Sequence, residues 1–172
     1  MRAMTMRSVM WLAATPLVSM GASPARLSVE EKAEVSAPPE KVWETIKDFD
    51  GLHKWHPAVA STEIAKGKGN AKGAVRVLTT KDGAKITEEL VSHSDRNMNY
   101  RYRIIESPLP VTDYVSTIKV AKSAGGSTVV WNSQFKAKQG ASDEDAKKSI
   151  DGIYTAGLDN LKALLNTKTA VK

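Results

Sequence analysis

The chain has 172 residues, a length that suits one domain of ordinary size. Hydrophobic residues make up 41% and charged residues 26%, the balance of a globular protein with a buried core, which excludes a disordered tail and a membrane bundle. The formal charge of +6 is scattered among acids and turn glycines, so no nucleic-acid surface is expected, and the lack of cysteine excludes disulfides, thiolate metal sites and a cysteine nucleophile.

Residues 1–25 have the order of a secretory signal peptide: a basic start with Arg2 and Arg7, an apolar run from Val9 to Ala14 with Leu17, Val18 and Met20, then Gly21-Ala22-Ser23-Pro24-Ala25. The run is too short, and interrupted by Pro16, for the ~20 apolar residues that span a bilayer. Cleavage near Ala25 is expected. It would remove Arg2 and Arg7, lower the charge from +6 to +4, and leave residues 26–172 as one exported domain, periplasmic or secreted, without stable membrane insertion.

Leu27, Val29, Ala33 and Val35 alternate loosely, as in a strand. Ser36-Ala37-Pro38-Pro39-Glu40 predicts a helix start, with Ser36 or Ala37 near the cap and an apolar face of Val42, Trp43, Ile46 and Phe49. Asp50-Gly51 ends that helix, and Leu52 to Trp55 predicts a short turn stopped by Pro57. From Val59 the period becomes two. Strands are predicted at 59–66, 74–80, 85–94, 99–107, 112–121 and 128–137, separated by Gly-, Asp-, Asn- and Pro-bearing turns, an antiparallel meander. Ser142 is a cap candidate for a long amphipathic helix. Ala146, Ile150, Ile153, Gly157, Leu161 and Leu164 form its stripe, flanked by Tyr154, Leu158 and Leu165, and Asn166 to Lys172 is a polar tail.

This is an α+β order: strand, two short helices, six strands, long helix. A single amphipathic helix is the natural cover for the apolar face of such a sheet, and one helix is not expected to fill the hollow of a strongly curved one. Alternation points Tyr100, Tyr102 and Ile104 inward, with Arg101 and Arg103 in water. It does the same for Tyr114, Ser116, Ile118 and Val120, and for Val129, Trp131, Ser133 and Phe135. Ile86, Glu88, Leu90 and Ser92 face inward if a carboxylate is tolerated there; Thr87, Glu89, Val91 and His93 are the alternative. Ile153 and Gly157 face the same space from the helix, and mid-helix glycines such as Gly152 and Gly157 suggest close approach of a wall or ligand.

The opening strand, Ala37-Pro38-Pro39-Glu40-Lys41-Val42-Trp43, Phe49 and Trp55-His56-Pro57 resemble the start of the SRPBCC superfamily, the polyketide cyclase/dehydrase and lipid-transport-like proteins that include the birch-pollen allergen class and the abscisic acid receptors. Gly73-Ala74-Val75-Arg76, Glu88-Glu89-Leu90, Tyr100-Arg101-Tyr102, Ser107-Pro108-Leu109-Pro110-Val111, Val130 to Phe135 and Gly152 to Leu158 carry the resemblance through residues 27–165. It is nearest to an exported bacterial branch that holds an accessory protein of methanol oxidation. The resemblance implies a helix-grip fold, seven curved strands wrapped on a long C-terminal helix around a hydrophobic cavity. By likeness to the receptors, Glu88, Tyr114 and Ser116 supply a polar wall, while the receptors' cationic anchor for an acid falls near Ala60, which has no charge.

The expected ligand site is therefore Glu88, Tyr100, Tyr102, Ile104, Tyr114, Ser116, Ile118, Trp131, Ser133, Phe135, Ile153 and Gly157, with Trp55, His56, Leu109 and Pro110 at its mouth. Neither cofactor nor metal is expected. His53 and His56 share a turn that Pro57 interrupts, and Gly67 to Gly73 leads into a strand, not the helix a phosphate loop opens. The expected function is an exported binding or carrier protein for an apolar or amphipathic small molecule, monomeric or weakly dimeric. One alternative is a polyketide cyclase or aromatase with an acid–base pair such as His56 with Glu88 or Tyr102. The other is a periplasmic accessory protein of a dehydrogenase, whose partner is another protein.

Overall fold

The computed structural model describes residues 26–167; the expected signal peptide and residues 168–172 of the tail lie outside them. β1 (Leu27–Val35) leads to α1 (Pro39–Ile46) and a 3₁₀ turn at Leu52–Lys54. Six strands follow: β2 (Val59–Lys66), β3 (Val75–Thr80), β4 (Lys85–Ser94), β5 (Asn99–Glu106), β6 (Val111–Ser123) and β7 (Gly126–Ala137); α2 (Asp143–Thr167) closes the chain. The sheet is seven-stranded in the order β1-β7-β6-β5-β4-β3-β2, and every neighbour pairs antiparallel. From β2 onward each strand pairs with its successor, as the turn chemistry predicts. Only β1 is placed non-locally: it pairs with β7, from Leu27↔Phe135 to Val35↔Ser127, so α1 and the 3₁₀ turn carry the chain from one edge of the sheet to the other.

The expected helix-grip architecture is present, with a few local corrections. Pro38, not Ser36 or Ala37, caps α1, and no side chain bonds to that cap. Ser36 instead gives its N–H to Asn166 Oδ1 at the far end of α2, 3.0 Å away. α1 ends at Ile46, so Phe49 is not helical, yet it is fully buried against Tyr100, Tyr102 and Arg76, and Asn70 Oδ1 takes its N–H at 2.8 Å. Register shifts in β2–β3, β4–β5 and β6–β7 bend the sheet. The shift between Leu90 and Ser92 turns Ser92 outward, against the simple alternation, while Ile86, Glu88 and Leu90 stay inside.

α2 begins as expected: Ser142 Oγ accepts the Asp145 N–H at 3.0 Å, and Asp143, Glu144 and Asp145 occupy the positive end of the helix. The helix continues through Asn166, longer than the sequence implies. It packs on β1 and β7. The face it buries joins Ala146, Ile150, Gly157 and Leu161 of the expected stripe with the flanking Tyr154, Leu158 and Leu165, while Ile153 is half-buried and Leu164 points into solvent.

Candidate functional site

The interior contains an ion pair. The β3–β4 hairpin places Arg76 directly opposite Glu88 on the inward face, and both are almost completely buried. Arg76 Nε donates to Glu88 Oε2 at 2.7 Å, and Nη1 donates to the Phe49 carbonyl at 2.5 Å. Nη2 lies 2.6 Å from the same Oε2 but off the hydrogen-bonding direction, so it counts as an ionic contact only. The guanidinium sits 4.1 Å from the Phe49 ring centre and 5.2 Å from that of Tyr102. Burial pushes the Glu88 carboxyl above the usual carboxylate range, and Arg76 opposes that push. A buried carboxylate survives here because a buried cation meets it.

A second network runs through β6, β7 and α2. Trp131 Nε1 points at Ser116 Oγ (3.0 Å) and Tyr102 Oη (3.1 Å), Ser116 Oγ donates to the Asn132 carbonyl at 2.8 Å, and Tyr154 Oη lies 2.9 Å from Ser116 Oγ and 2.5 Å from Tyr114 Oη. The Trp131 and Tyr154 rings stack at 4.3 Å. Burial pushes the Tyr154 hydroxyl up to about 12 and those of Tyr102 and Tyr114 well above their ordinary value. They are neutral hydrogen-bonding groups, not acids in waiting.

His56 joins the 3₁₀ turn to α2. Its Nδ1 accepts the Ala58 N–H at 3.2 Å, which leaves Nε2 to donate to the Ile153 carbonyl at 2.9 Å. The ring rests in a notch at Gly157, where an added Cβ would stand 2.7 Å from His56 Cδ2 and 2.9 Å from Trp131 Cζ3. The close approach expected at Gly157 is thus real, and its neighbours are side chains of the chain itself. At Gly152 nothing lies within 4 Å of an added Cβ and the position is exposed, so the expectation of close approach there fails.

A cavity lies beside these groups, between the sheet and α2. Leu78, Ile86, Tyr102, Ile104, Tyr114 and Trp131 wall it from the sheet, Ile150 and Ile153 from α2, and Leu52 and Leu109 from loops, with Glu88, His56 and Thr80 its polar contributors. Its volume is about 70 Å³, room for a few atoms, against the roughly 300–1,000 Å³ of small-molecule pockets. The large hollow expected from one helix on a curved sheet is therefore mostly filled, because inward aromatic side chains from β5, β6, β7 and α2 meet in the middle.

The model of a family described as polyketide cyclase / dehydrase and lipid transport matches residues 26–166. The chain belongs to this family. Among solved structures, this family member is similar to protein XoxI from Bacillus cereus, at 34% identity over 82% of this chain and 95% of that one, with a TM-score of 0.72. It is similar also to an uncharacterised protein from Bacillus thuringiensis, at 33% identity over 82% and 98% of the two chains and a TM-score of 0.72. Ara h 8.0201, at 19% identity over 83% and 99% and a TM-score of 0.69, shares the fold. The helix-grip SRPBCC assignment made from the sequence holds.

In this polyketide cyclase/dehydrase and lipid transport family member, Glu88, Tyr102, Ile104, Tyr114, Trp131, Ile153, His56 and Leu109 come together at the cavity. Ser116, Ile118, Ser133, Phe135 and Gly157 are buried around it without bordering it. Tyr100 is farther off, stacked on His93 and packed against Trp43 and Phe49 under α1. Trp55 is buried against Trp131 rather than set at a mouth, and its carbonyl accepts from Asn160 Nδ2 at 2.8 Å. His56 is buried too, and Pro110 borders no cavity described here. Sequence reasoning missed Leu52, Ala58, Val59, Leu78 and Thr80 as lining residues, placed Ile86 inward only conditionally and Ile150 on the helix stripe without assigning either to the site, and missed Arg76 as the partner of Glu88. Counting back from the Lys81-Asp82-Gly83 turn would have found Arg76, since Thr79↔Lys85 leads to Arg76↔Glu88.

A second concavity lies where β5 and β6 part. It holds about 570 Å³ and is lined by Arg26, Arg103 to Ser107, Val111 to Val115 and Lys138. Ile104 and Tyr114 belong to both concavities.

Proposed function

We propose that the protein binds a small apolar or amphipathic molecule in the cavity beneath Leu52 and Leu109, as a carrier or sequestering protein, and that residues 1–25 direct its export. The observation that carries the reading is how the cavity is closed. Sheet and helix form most of its walls, but Leu52 comes from the 3₁₀ turn and Leu109 from the β5–β6 loop, elements outside the hydrogen-bonded ladder. Leu52 is buried in the core, but Leu109 is only half-buried, so a guest that displaces Leu109 enlarges the volume without opening the ladder. Family membership supports the reading, since the family is described by lipid transport as well as by cyclase chemistry.

An acid–base enzyme is less well supported by the same groups. Both ring nitrogens of His56 are engaged by backbone, burial pulls its pKa down, and Glu88 is held by Arg76. Native mass spectrometry of protein purified from its own host tests binding: a retained small molecule, released on denaturation, is expected. Protein that is always ligand-free, and whose Tm no apolar compound raises, would sink the proposal. N-terminal sequencing of protein from the extracytoplasmic fraction tests export. A first residue near Arg26 is expected, and an intact Met1 on all the protein would refute it.

A further inference from the structure

We propose that the ligand is an amphipathic monoanion lying across the sheet wall between β5 and β6, its charged head in the outer groove and its apolar body reaching the cavity. The inference rests on the binding reading above and names the ligand class. Among the described residues, the β5–β6 ladder runs from Asn99↔Lys119 to Arg103↔Val115 and pairs no further. Beyond that point β5 stays with β4, through Glu88↔Ile104 and Thr87↔Glu106, and β6 starts against β7, through Val111↔Ala137 and Thr112↔Lys136. Each strand keeps its outer neighbour and leaves the other. Where β6 turns away, Asp113 takes a positive φ of 51° and the β6–β7 register shifts.

The opening is the groove of about 570 Å³, within the size range of small-molecule sites. Its apolar lining includes Ile105, 54% exposed, with Val111 and Val115. Ile104 and Tyr114 line both the groove and the cavity, so the two approach each other across these side chains. Charge then sets the direction of the guest. Arg103 is bound by Glu89 at 2.7 Å, and Asp113 by Lys136 at 2.9 Å, so these cancel. What remains around the groove is Arg26 and Lys138 against Glu106, one net positive charge. Lys138 has no ion pair among the described residues, and Arg26 reaches Gln134 Oε1 at 3.5 Å and acts through space on Asp113 without pairing with it. Inside, Arg76 and Glu88 are spent on each other, so the cavity offers an anionic head no free cation, and the unpaired positive charge lies at the rim.

Octanoate and 1-octanol share a tail and differ in the head, so calorimetric titration of each, with amide chemical shifts, tests the proposal on the full chain. Octanoate is expected to bind about threefold to fivefold more tightly, with shifts at Ile105 and Val115 as well as Ile153. Lys138→Glu should weaken octanoate by about tenfold and leave octanol unchanged, whereas Lys122→Glu, outside the groove, should change neither. Octanoate binding no tighter than octanol, or octanoate shifts absent from Ile105 and Val115, would overturn the monoanion and leave cavity binding standing. If neither compound binds, both proposals fall.

Discussion

Gly157 and Gly152 occupy one helix and behave oppositely, because packing and not helix propensity decides their worth. An alanine at Gly152 meets open space and should stabilise by about 1 kcal/mol, the difference in helix propensity. At Gly157 the same change drives Cβ into His56 and Trp131, whose rings are hemmed in, so a net loss of about 1–2 kcal/mol is expected. Urea denaturation of the two variants should give opposite signs; equal signs would mean that the notch is not there. The Arg76–Glu88 pair makes a similar contrast. Glu88→Gln or Arg76→Met alone leaves a buried polar group without its partner and should cost about 3–5 kcal/mol. The double variant Arg76→Met with Glu88→Leu should recover much of that loss in the same measurement. Alternation gave Glu88 only conditionally, since a period of two cannot say whether a counter-ion waits across the ladder.

His56 couples elements as well as residues: it ties the 3₁₀ turn to the middle of α2 through the Ile153 carbonyl. Burial lowers its pKa from the ordinary 6.5. The unfolded chain therefore takes up a proton near 6.5 that the folded chain refuses, and linkage makes stability fall as pH drops through that value. The fall ends once pH reaches the lower, folded value. Unfolding free energies measured from about pH 7 to about pH 5 should decline in the wild type, and His56→Gln should remove that part of the slope. At the other end of the same helix, Ser142→Ala removes the acceptor for the Asp145 N–H and should cost about 1 kcal/mol without altering the slope. Ser142 was legible because a cap is a local device. The tie of His56 to Ile153 was not, since it joins residues far apart in the chain that no periodicity relates.

At the scale of the whole molecule, the cavity is a difference between a large enclosed volume and the side chains that nearly fill it, about 70 Å³ in the end. Such a remainder responds strongly to a single side chain. Leu109→Ala should cost about 1–2 kcal/mol, since Leu109 is only half-buried, and should enlarge the thermal shift produced by 1-octanol. An unchanged shift would mean that Leu109 does not close the site. Strand count, strand order from β2 to β7, the inward sets on β6 and β7, and the start of α2 were all determined by the sequence itself. Turn residues and side-chain alternation act within a few positions of one another, and they leave a local record. The tertiary structure alone decided that Tyr100 serves α1, that His56 anchors on the Ile153 carbonyl, and that β5 and β6 part to open a groove. Each of these depends on which distant segments meet and how closely their side chains pack, and a one-dimensional pattern holds no measure of that distance.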